Sequence, residues 1–176
     1  MLNTLFRKSE LSRFLFFVVG GYFIWLLLYE LVILPFTKID EYLIHFLVQL
    51  SAKILCFFGN VITLNEGSFS HTIVMDGRYS VFVSPNCDAL SVVAVFIIVT
   101  LSFSGRKKAL LYFIPFGAMV IETINLLRIV GLSLIHRFYP GWLKFNHDYT
   151  FTIVVYAVVI LLWWWWFQKM NVKLKP

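Results

Sequence analysis

The sequence predicts an all-α membrane protein with four transmembrane helices, an amphipathic helix on the outer membrane face and a small extracytoplasmic β-hairpin. Sixty per cent of the 176 residues are hydrophobic, and the mean hydropathy of +0.84 is far above the values of soluble proteins. Long apolar runs alternate with short polar segments, and basic residues gather beside particular ends of these runs. No basic face lies apart from the membrane flanks, so nucleic-acid binding is a poor explanation of the net charge of +6.

Four apolar runs are long enough to be considered as spans: Phe14–Leu34, Ala89–Phe103, Ala109–Ile135 and Tyr149–Phe167. A spanning helix needs about 20 mostly apolar residues, so the second run must borrow a helical turn from one of its flanks. The first run is long and lacks a small-residue cleavage site. It therefore predicts a signal anchor that stays in the membrane rather than a cleaved signal peptide.

The distribution of charge predicts the orientation of these spans. One side carries nine basic residues against the single acid Glu10: Arg7, Lys8, Arg13, Arg106, Lys107, Lys108, Lys169, Lys173 and Lys175. The other side carries five basic residues against six acids: Lys38, Lys53, Arg78, Arg137 and Lys144 against Asp40, Glu41, Glu66, Asp76, Asp88 and Asp148. The positive-inside rule then places both termini in the cytoplasm.

Three regions follow from this topology. Residues 1–34 form a cytoplasmic N-terminus and the signal-anchor helix, residues 35–84 form the extracytoplasmic helix and hairpin, and residues 85–176 form a core of three spans with a basic tail. In Ile39–Gly59 polar residues recur every four positions, which is typical of an interfacial or bundle-packed helix. The alternative is a fifth span, which would place Arg106–Lys108 outside. Whether this helix lies flat or re-enters the bilayer stays open.

The segment before the second span predicts β-structure. His71–Met75 and Arg78–Val83 flank Asp76-Gly77, a strong signal for a two-residue hairpin turn. Such a hairpin is marginally stable alone, so it must pack on the amphipathic helix or a neighbouring loop. It is expected to cap the outer helix ends. Alternatively, its edge pairs with an extended segment of a substrate.

Cys87 is the candidate nucleophile. Asn86 is a good helix N-cap, which predicts that Cys87 lies in the first turn of the second span, where unpaired amides and the helix dipole lower a thiol pKa. The alternatives are a structural cysteine at a helix end, or a disulfide with Cys56, which we expect to be buried on the apolar stripe of the amphipathic helix. The chain has two cysteines and no Cys-x-x-Cys, so neither a redox relay nor a metal site is indicated, and no cofactor is expected.

Arg128 and His147 are the other candidate catalytic residues. Glu122, Asn125 and Arg128 are three residues apart, so they form a polar ridge that must face the bundle rather than lipid. Arg128 could bind a substrate oxyanion, or simply pair with Glu122 or a lipid phosphate. His147 is expected at the start of the fourth span, at about the same depth in the membrane as Cys87, and could act as the base. Alternatively, His147 is simply a solvated side chain near the interface. His136, His71 and His45 are alternative candidates for the base.

Three motifs resemble the exosortase/archaeosortase family: Ser84-Pro85-Asn86-Cys87-Asp88, Asn125-Leu126-Leu127-Arg128-Ile129 and Phe145-Asn146-His147-Asp148-Tyr149. The resemblance covers roughly Val81 to Phe167 and is greatest to the exosortase F-type branch of Bacteroidetes. Many members follow the cysteine with Ser or Thr and then Gly, whereas this chain has Asp88 and Ala89.

The resemblance implies a multi-span cysteine transpeptidase or peptidase of the bacterial inner membrane with its site facing the periplasm. Cys87 would be the nucleophile, Arg128 the substrate or oxyanion binder and His147 the acid/base. Asn86, Asp88, Glu122 and Asn125 are predicted to bind substrate or to support these three side chains. The implied partners are the lipid bilayer and a membrane-anchored protein that ends in a sorting signal, made of a short motif, one transmembrane helix and a basic tail.

Two other classes of function remain possible on the sequence. A non-catalytic membrane subunit of a secretion or polysaccharide-export complex would use the polar ridge for helix contacts and the hairpin for a partner. It would leave Cys87 inert to alkylation. A small transporter is less well supported, because the sequence has neither a pair of broken helices nor a visible inverted repeat. The oligomeric state is not indicated.

Overall fold

The computed structural model describes residues 8–64, 71–77, 79–84, 87, 89–104, 107–170 and 173–174. The long helices are α1 (Lys8–Leu28), α2 (Ile39–Phe57), α3 (Leu90–Ser102), α4 (Lys107–Phe138) and α5 (Phe151–Met170). The strands are β1 (Ile62–Leu64), β2 (Thr72–Met75), β3 (Tyr79–Phe82), β4 (Phe103–Ser104) and β5 (Lys173–Leu174). Helix α1 continues through a π-helical turn at Tyr29–Ile33 and a short turn at Leu34–Phe36, and α5 is preceded by turns at Pro140–Trp142, Leu143–Phe145 and Asn146–Thr150.

The described part of the chain has three helical stretches long and apolar enough to cross a membrane: Leu11–Phe36, Lys108–Phe138 and Pro140–Lys169. The predicted count of four spans is not confirmed, because the second predicted span, Ala89–Phe103, corresponds to the short helix α3. Helix α3 has 13 residues and is therefore about 20 Å long, well short of a hydrocarbon core of about 30 Å. The expected extra turn does not form, because Ala89 turns the chain with a left-handed φ of 60° and the chain becomes strand β4 at Phe103.

The beginning of α1, the α3–α4 connection and the end of α5 meet at one end of the bundle. The ring of Phe103 lies 5.2 Å from that of Phe14 and 4.7 Å from that of Phe167. Strand β4 also pairs with β5, with Ser104 opposite Lys173. We call this the basic end, because the predicted cytoplasmic basic residues flank it in sequence. The structure thus places these three segments at the same end of the bundle.

Helix α4 is the element against which α2, α3 and α5 all pack. Two of its glycines permit the closest approaches. A Cβ atom on Gly117 would overlap the fully buried ring of Phe96 on α3, and a Cβ atom on Gly131 would lie 2.6 Å from Cζ of Phe151 on α5. Any larger residue at these two positions would push α3 or α5 away from α4.

Helix α2 packs as part of the bundle rather than standing apart from it. Its buried face consists of Asp40, Ile44, Leu47, Val48, Ser51, Ala52 and Leu55, which recur at helical spacing against α4 and the sheet. Phe46 and Phe57 belong to the apolar stripe that the sequence predicts, but both are exposed. The buried face is therefore rotated from the predicted stripe. Cys56 is also exposed and free, so the expectation that it is buried is wrong, and no disulfide joins it to Cys87.

The predicted hairpin forms, and a third strand extends it. Strands β2 and β3 pair antiparallel with Met75 opposite Tyr79, so three residues separate the paired strands rather than the predicted two. Of these, Asp76 and Gly77 have left-handed φ values of 52° and 67°, which are typical of a tight turn. Strand β1 pairs with the other edge of β2, giving the order β1-β2-β3. Ile73 and Met75 project from β2 into the core shared with α2 and α4.

Arg137 joins the sheet to the outer end of α4. Its guanidinium forms an ion pair with Asp76 at 2.8 Å and donates to the side-chain carbonyl of Asn60, just beyond α2. Asn60 in turn donates to the carbonyl of Leu55 at 2.9 Å. One arginine therefore connects α4, the hairpin turn and the end of α2.

Replacing Arg137 with alanine should lower the free energy of unfolding by about 1–2 kcal/mol, because a charged hydrogen-bonding group that is roughly one-quarter exposed loses its interactions with both Asp76 and Asn60. The measurement is thermal unfolding of the detergent-solubilised protein. Lys53→Ala, at an exposed position on α2, is the matched control. Equal unfolding midpoints for the two variants would contradict this role of Arg137.

Candidate active site

The structure brings Cys87, Arg128 and His147 together at the end of the bundle away from the basic end. The sulfur of Cys87 lies 3.9 Å from Nε2 of His147, and the same nitrogen lies 3.3 Å from Nη2 of Arg128. These contacts link residues from three separate segments of the chain. The predicted convergence of the three side chains is therefore present in the fold.

Cys87 lies outside helix α3, contrary to the prediction. Its amide donates to the carbonyl of Ser84 at 2.8 Å, and the Ser84 hydroxyl donates to its sulfur at 3.5 Å. The first residue of α3 is Leu90, and Ala89 supplies no side-chain cap. The helix N-terminus therefore does not explain activation of this thiol, and the predicted cap Asn86 lies outside the described residues.

The left-handed conformation of Ala89 is a local constraint beside the cysteine. A φ of 60° is one that L-residues avoid and glycine adopts freely. Ala89 therefore holds this turn at a steric cost.

Arg128 projects from α4 near the level at which the membrane is expected to end. From Lys107 to Asn125 the helix rises roughly 27 Å, close to the hydrocarbon thickness of about 30 Å. Tyr139 and Trp142, which follow the end of α4 in the sequence, are exposed aromatic residues, as is typical of a membrane interface. Nε of Arg128 is buried and has no hydrogen-bond partner among the described residues, so the guanidinium retains a donor.

His147 lies in a π-helical turn, Asn146–Thr150, rather than at the first residue of a helix. Such turns widen the backbone and recur at functional sites. Nδ1 of His147 lies 2.9 Å from Oδ1 of Asp148, so the carboxylate orients the ring. Phe151, one turn later, packs on Gly131, one turn after Arg128, and this contact sets the spacing of the two side chains.

Asn125 supports the cysteine through the backbone. It is fully buried, and its Nδ2 donates to the carbonyl of Cys87 at 2.9 Å. Glu122 is half-buried one turn earlier on the same ridge and is not among the residues that line the cleft described below. Asp88, like Asn86, lies outside the described residues. The ridge predicted on α4 therefore contributes Asn125 and Arg128 to the site by direct contact.

The three side chains line a cleft of about 290 Å³ between β3, α4 and the turn before α5. His136 also lines it, whereas His71 pairs with β3 and His45 lies on α2 beside Gln49. Of the described histidines, His147 is the one whose ring nitrogen contacts the sulfur. Among the described residues, no three His, Cys, Asp or Glu side chains are grouped closely enough to hold a metal ion.

The surroundings of Cys87 favour its thiolate. Burial by itself raises the pKa of the Cys87 thiol, but hydrogen bonds with Ser84 and His147 and the positive charge of Arg128 outweigh burial, so the pKa lies below its ordinary value. Ser84 and Asp148 were not among the predicted site residues. Each lies next to or near a predicted one in sequence, and only the folded contacts reveal its role.

The protonation of His147 follows from its two neighbours. A guanidinium N–H can only donate, so the contact with Arg128 requires a lone pair on Nε2 of His147. The ring proton then lies on Nδ1, where Asp148 accepts it. Nε2 is thereby left as an acceptor facing the thiol of Cys87, which is the tautomer that a general base needs.

We expect the rate of Cys87 alkylation by iodoacetamide to rise with pH at a lower midpoint than that of a free thiol, because the thiolate is favoured in the fold. The measurement uses a Cys56→Ala background, so that one thiol remains. Ser84→Ala and Arg128→Gln should each move the midpoint to higher pH, since each removes an interaction with the thiolate. Arg13→Gln, at an exposed position near the basic end, should leave it in place. Identical midpoints in all variants would refute the assigned causes.

The arrangement has the parts that thiol-dependent acyl transfer requires: a thiol, a base oriented by a carboxylate, and a fixed cation. No protein-family model matches this chain, and comparisons with curated proteins and with solved structures find no match either. The function is therefore inferred from the geometry of the site and from the residues themselves.

Proposed function

We propose that this membrane protein is a cysteine transpeptidase or peptidase that cleaves C-terminal sorting signals of exported proteins. The observation that carries the proposal is the contact of Nε2 of His147 with both the Cys87 sulfur, at 3.9 Å, and the Arg128 guanidinium, at 3.3 Å. The nature of the substrate comes from the family resemblance of the three motifs. Its expected form is a short recognition motif, one transmembrane helix and a basic tail.

The proposed orientation places the basic end in the cytoplasm of a bacterial inner membrane and the site at the periplasmic face. Its support is the positive-inside rule, together with the meeting of three basic-flanked segments at one end of the bundle. Exposed Trp142 and Trp164 are 22 residues apart in the helical stretch Pro140–Lys169, which is roughly 33 Å at the rise of an α-helix and matches two interfacial belts of a single bilayer.

In the proposed first step, Nε2 of His147 takes the proton of the Cys87 thiol, and the sulfur attacks the carbonyl carbon of the scissile peptide. The new proton on Nε2 displaces the hydrogen bond that Arg128 donates there. The guanidinium is then free to stabilise the oxyanion that forms on the carbonyl oxygen. The sulfur-to-nitrogen distance of 3.9 Å closes by a small rotation of either side chain, as is common when substrate binds.

In the second step, the imidazolium of His147 returns its proton to the leaving amine, the peptide C–N bond breaks and a thioester remains on Cys87. The released fragment carries the transmembrane helix and basic tail. An amine or a water molecule then attacks the thioester carbonyl, with His147 accepting its proton, and the thiol is regenerated. Binding a substrate helix beside the bundle makes the first attack effectively intramolecular.

The decisive experiment replaces Cys87 with alanine. We expect processing of a doubly tagged candidate substrate to stop, measured by immunoblot as retention of the tag on its basic tail, while membrane insertion of the enzyme is unchanged. Cys56→Ala is the matched control and should process normally, since Cys56 is exposed on α2 away from the cleft. Processing by Cys87→Ala would reject the catalytic assignment and favour a non-catalytic subunit.

Arg128→Lys tests whether the planar guanidinium matters beyond its charge. Lysine keeps the charge but cannot reproduce the planar fork of two parallel N–H donors. We expect processing to fall on the order of 10²–10³-fold, the range seen when an oxyanion donor is lost. Arg13→Lys, at an exposed position on α1, should have no effect. Wild-type processing by Arg128→Lys would reduce the role of Arg128 to electrostatics alone.

A further inference from the structure

Strand β3 is an edge of the sheet, and its register shows which backbone groups point outward. The order is β1-β2-β3, and Val83 donates its amide to His71 at 2.8 Å, so residues 83 and 71 form a hydrogen-bonded pair. Because such pairs alternate along an antiparallel ladder, Phe82 opposite Thr72 is a non-bonded pair. The N–H and C=O groups of Phe82 therefore point away from β2.

Strand β3 borders the cleft that contains Cys87. Val81, Phe82 and Val83 line this cleft together with Leu143 and His147. Cys87 follows Val83 by four residues in the sequence and lines the same cleft. The open edge of β3 and the nucleophile thus belong to one continuous surface.

A peptide near the membrane interface needs partners for its backbone amides. An unpaired amide or carbonyl in apolar surroundings is costly, and attack on a peptide carbonyl requires the segment to be unwound from a helix. An exposed strand edge supplies backbone partners to an extended peptide of any sequence. Apolar side chains in the cleft, such as Ile129, Leu132 and Leu143, provide contacts for alternate residues of such a peptide.

We propose that the scissile segment of the substrate binds as an additional strand on the free edge of β3, with main-chain hydrogen bonds to Phe82 and alternate apolar side chains in the cleft. This inference rests on the proposed function. It deepens that function by identifying how the substrate is recognised: chiefly through the backbone of an extended segment, with apolar residues favoured at every second position.

The test compares two alkylating reagents that share one reactive group, in a Cys56→Ala background. One is chloroacetone, and the other is an N-acetylated tripeptide chloromethyl ketone built from apolar residues. In both, the Cys87 thiolate forms a carbon–sulfur bond and chloride leaves. The measured quantity is the ratio of the peptide reagent's rate to that of chloroacetone, which corrects for changes in thiol reactivity.

Phe82→Pro removes the outward N–H, whereas Phe82→Ala removes the ring alone. We expect the ratio in Phe82→Pro to be about fivefold to tenfold below that in Phe82→Ala, as one lost hydrogen bond implies. Leu64→Pro is the matched control, because the amide of Leu64 points outward from β1 at the opposite edge. Its ratio should equal that of the parent protein.

A second arm needs no change in the protein and covers the possibility that Phe82→Pro disturbs the sheet. Single N-methyl groups are placed in turn on the amides of the peptide reagent. Strand pairing predicts a lowered ratio for alternate amides only. Equal ratios for Phe82→Pro and Phe82→Ala, or N-methyl effects without alternation, would overturn strand addition while leaving the proposed function standing. Failure of chloroacetone to alkylate native Cys87 would overturn both.

Discussion

The close approach of helices α3 and α5 to α4 is the constraint on which the site depends. Two glycines on α4 make that approach possible: Gly117 receives the ring of Phe96, and Gly131 receives that of Phe151. Without a hydrophobic driving force between helices in lipid, such small-residue contacts are a main source of helix association. Because Cys87 precedes α3 and His147 precedes α5, the same contacts that assemble the bundle also bring the thiol and the imidazole to Arg128.

In the proposed reaction, this geometry would couple proton transfer to oxyanion binding. One nitrogen atom, Nε2 of His147, is shared between the thiol and the guanidinium. A proton that arrives there must displace the N–H of Arg128, which is then available where negative charge develops. Asp148 keeps the other ring nitrogen protonated throughout. Under the proposed mechanism, the resting hydrogen bond would hold the guanidinium close to the position of the oxyanion, so that little reorganisation would be needed.

Sequence patterns located the membrane class, the hairpin and the three convergent side chains because each depends on local chemistry. Hydropathy follows from burial in lipid, and Asp76-Gly77 has few conformations other than a tight turn. The position of Cys87 could not be obtained in this way. The preference of Asn for N-caps suggested a helix start, whereas the turn at Ala89 delays the helix to Leu90. The buried face of α2 also differs from the predicted apolar stripe, because packing against α4 rather than hydropathy determines which residues are buried.

Contacts between distant segments explain the remaining differences. Ser84 and Asp148 have no distinguishing pattern of their own, and their importance arises only when Cys87 and His147 are placed next to them. Arg137 was counted as one outer charge among several, yet it joins α4, the hairpin turn and the end of α2. A single side chain that holds a sheet in register with a helix leaves no periodic signal in the sequence.

Helix α3 has only 13 residues, and this fixes the height of the reactive sulfur above the basic end of the molecule. The neighbouring helices are longer than α3, so the thiol lies in a depression between them rather than at the outermost point of the bundle. Under the proposed reaction, the bond that is cut would be selected partly by its elevation in the bilayer. The length of the substrate's membrane segment would then determine which peptide bond reaches Cys87. This length would matter as much as the residues around the cut.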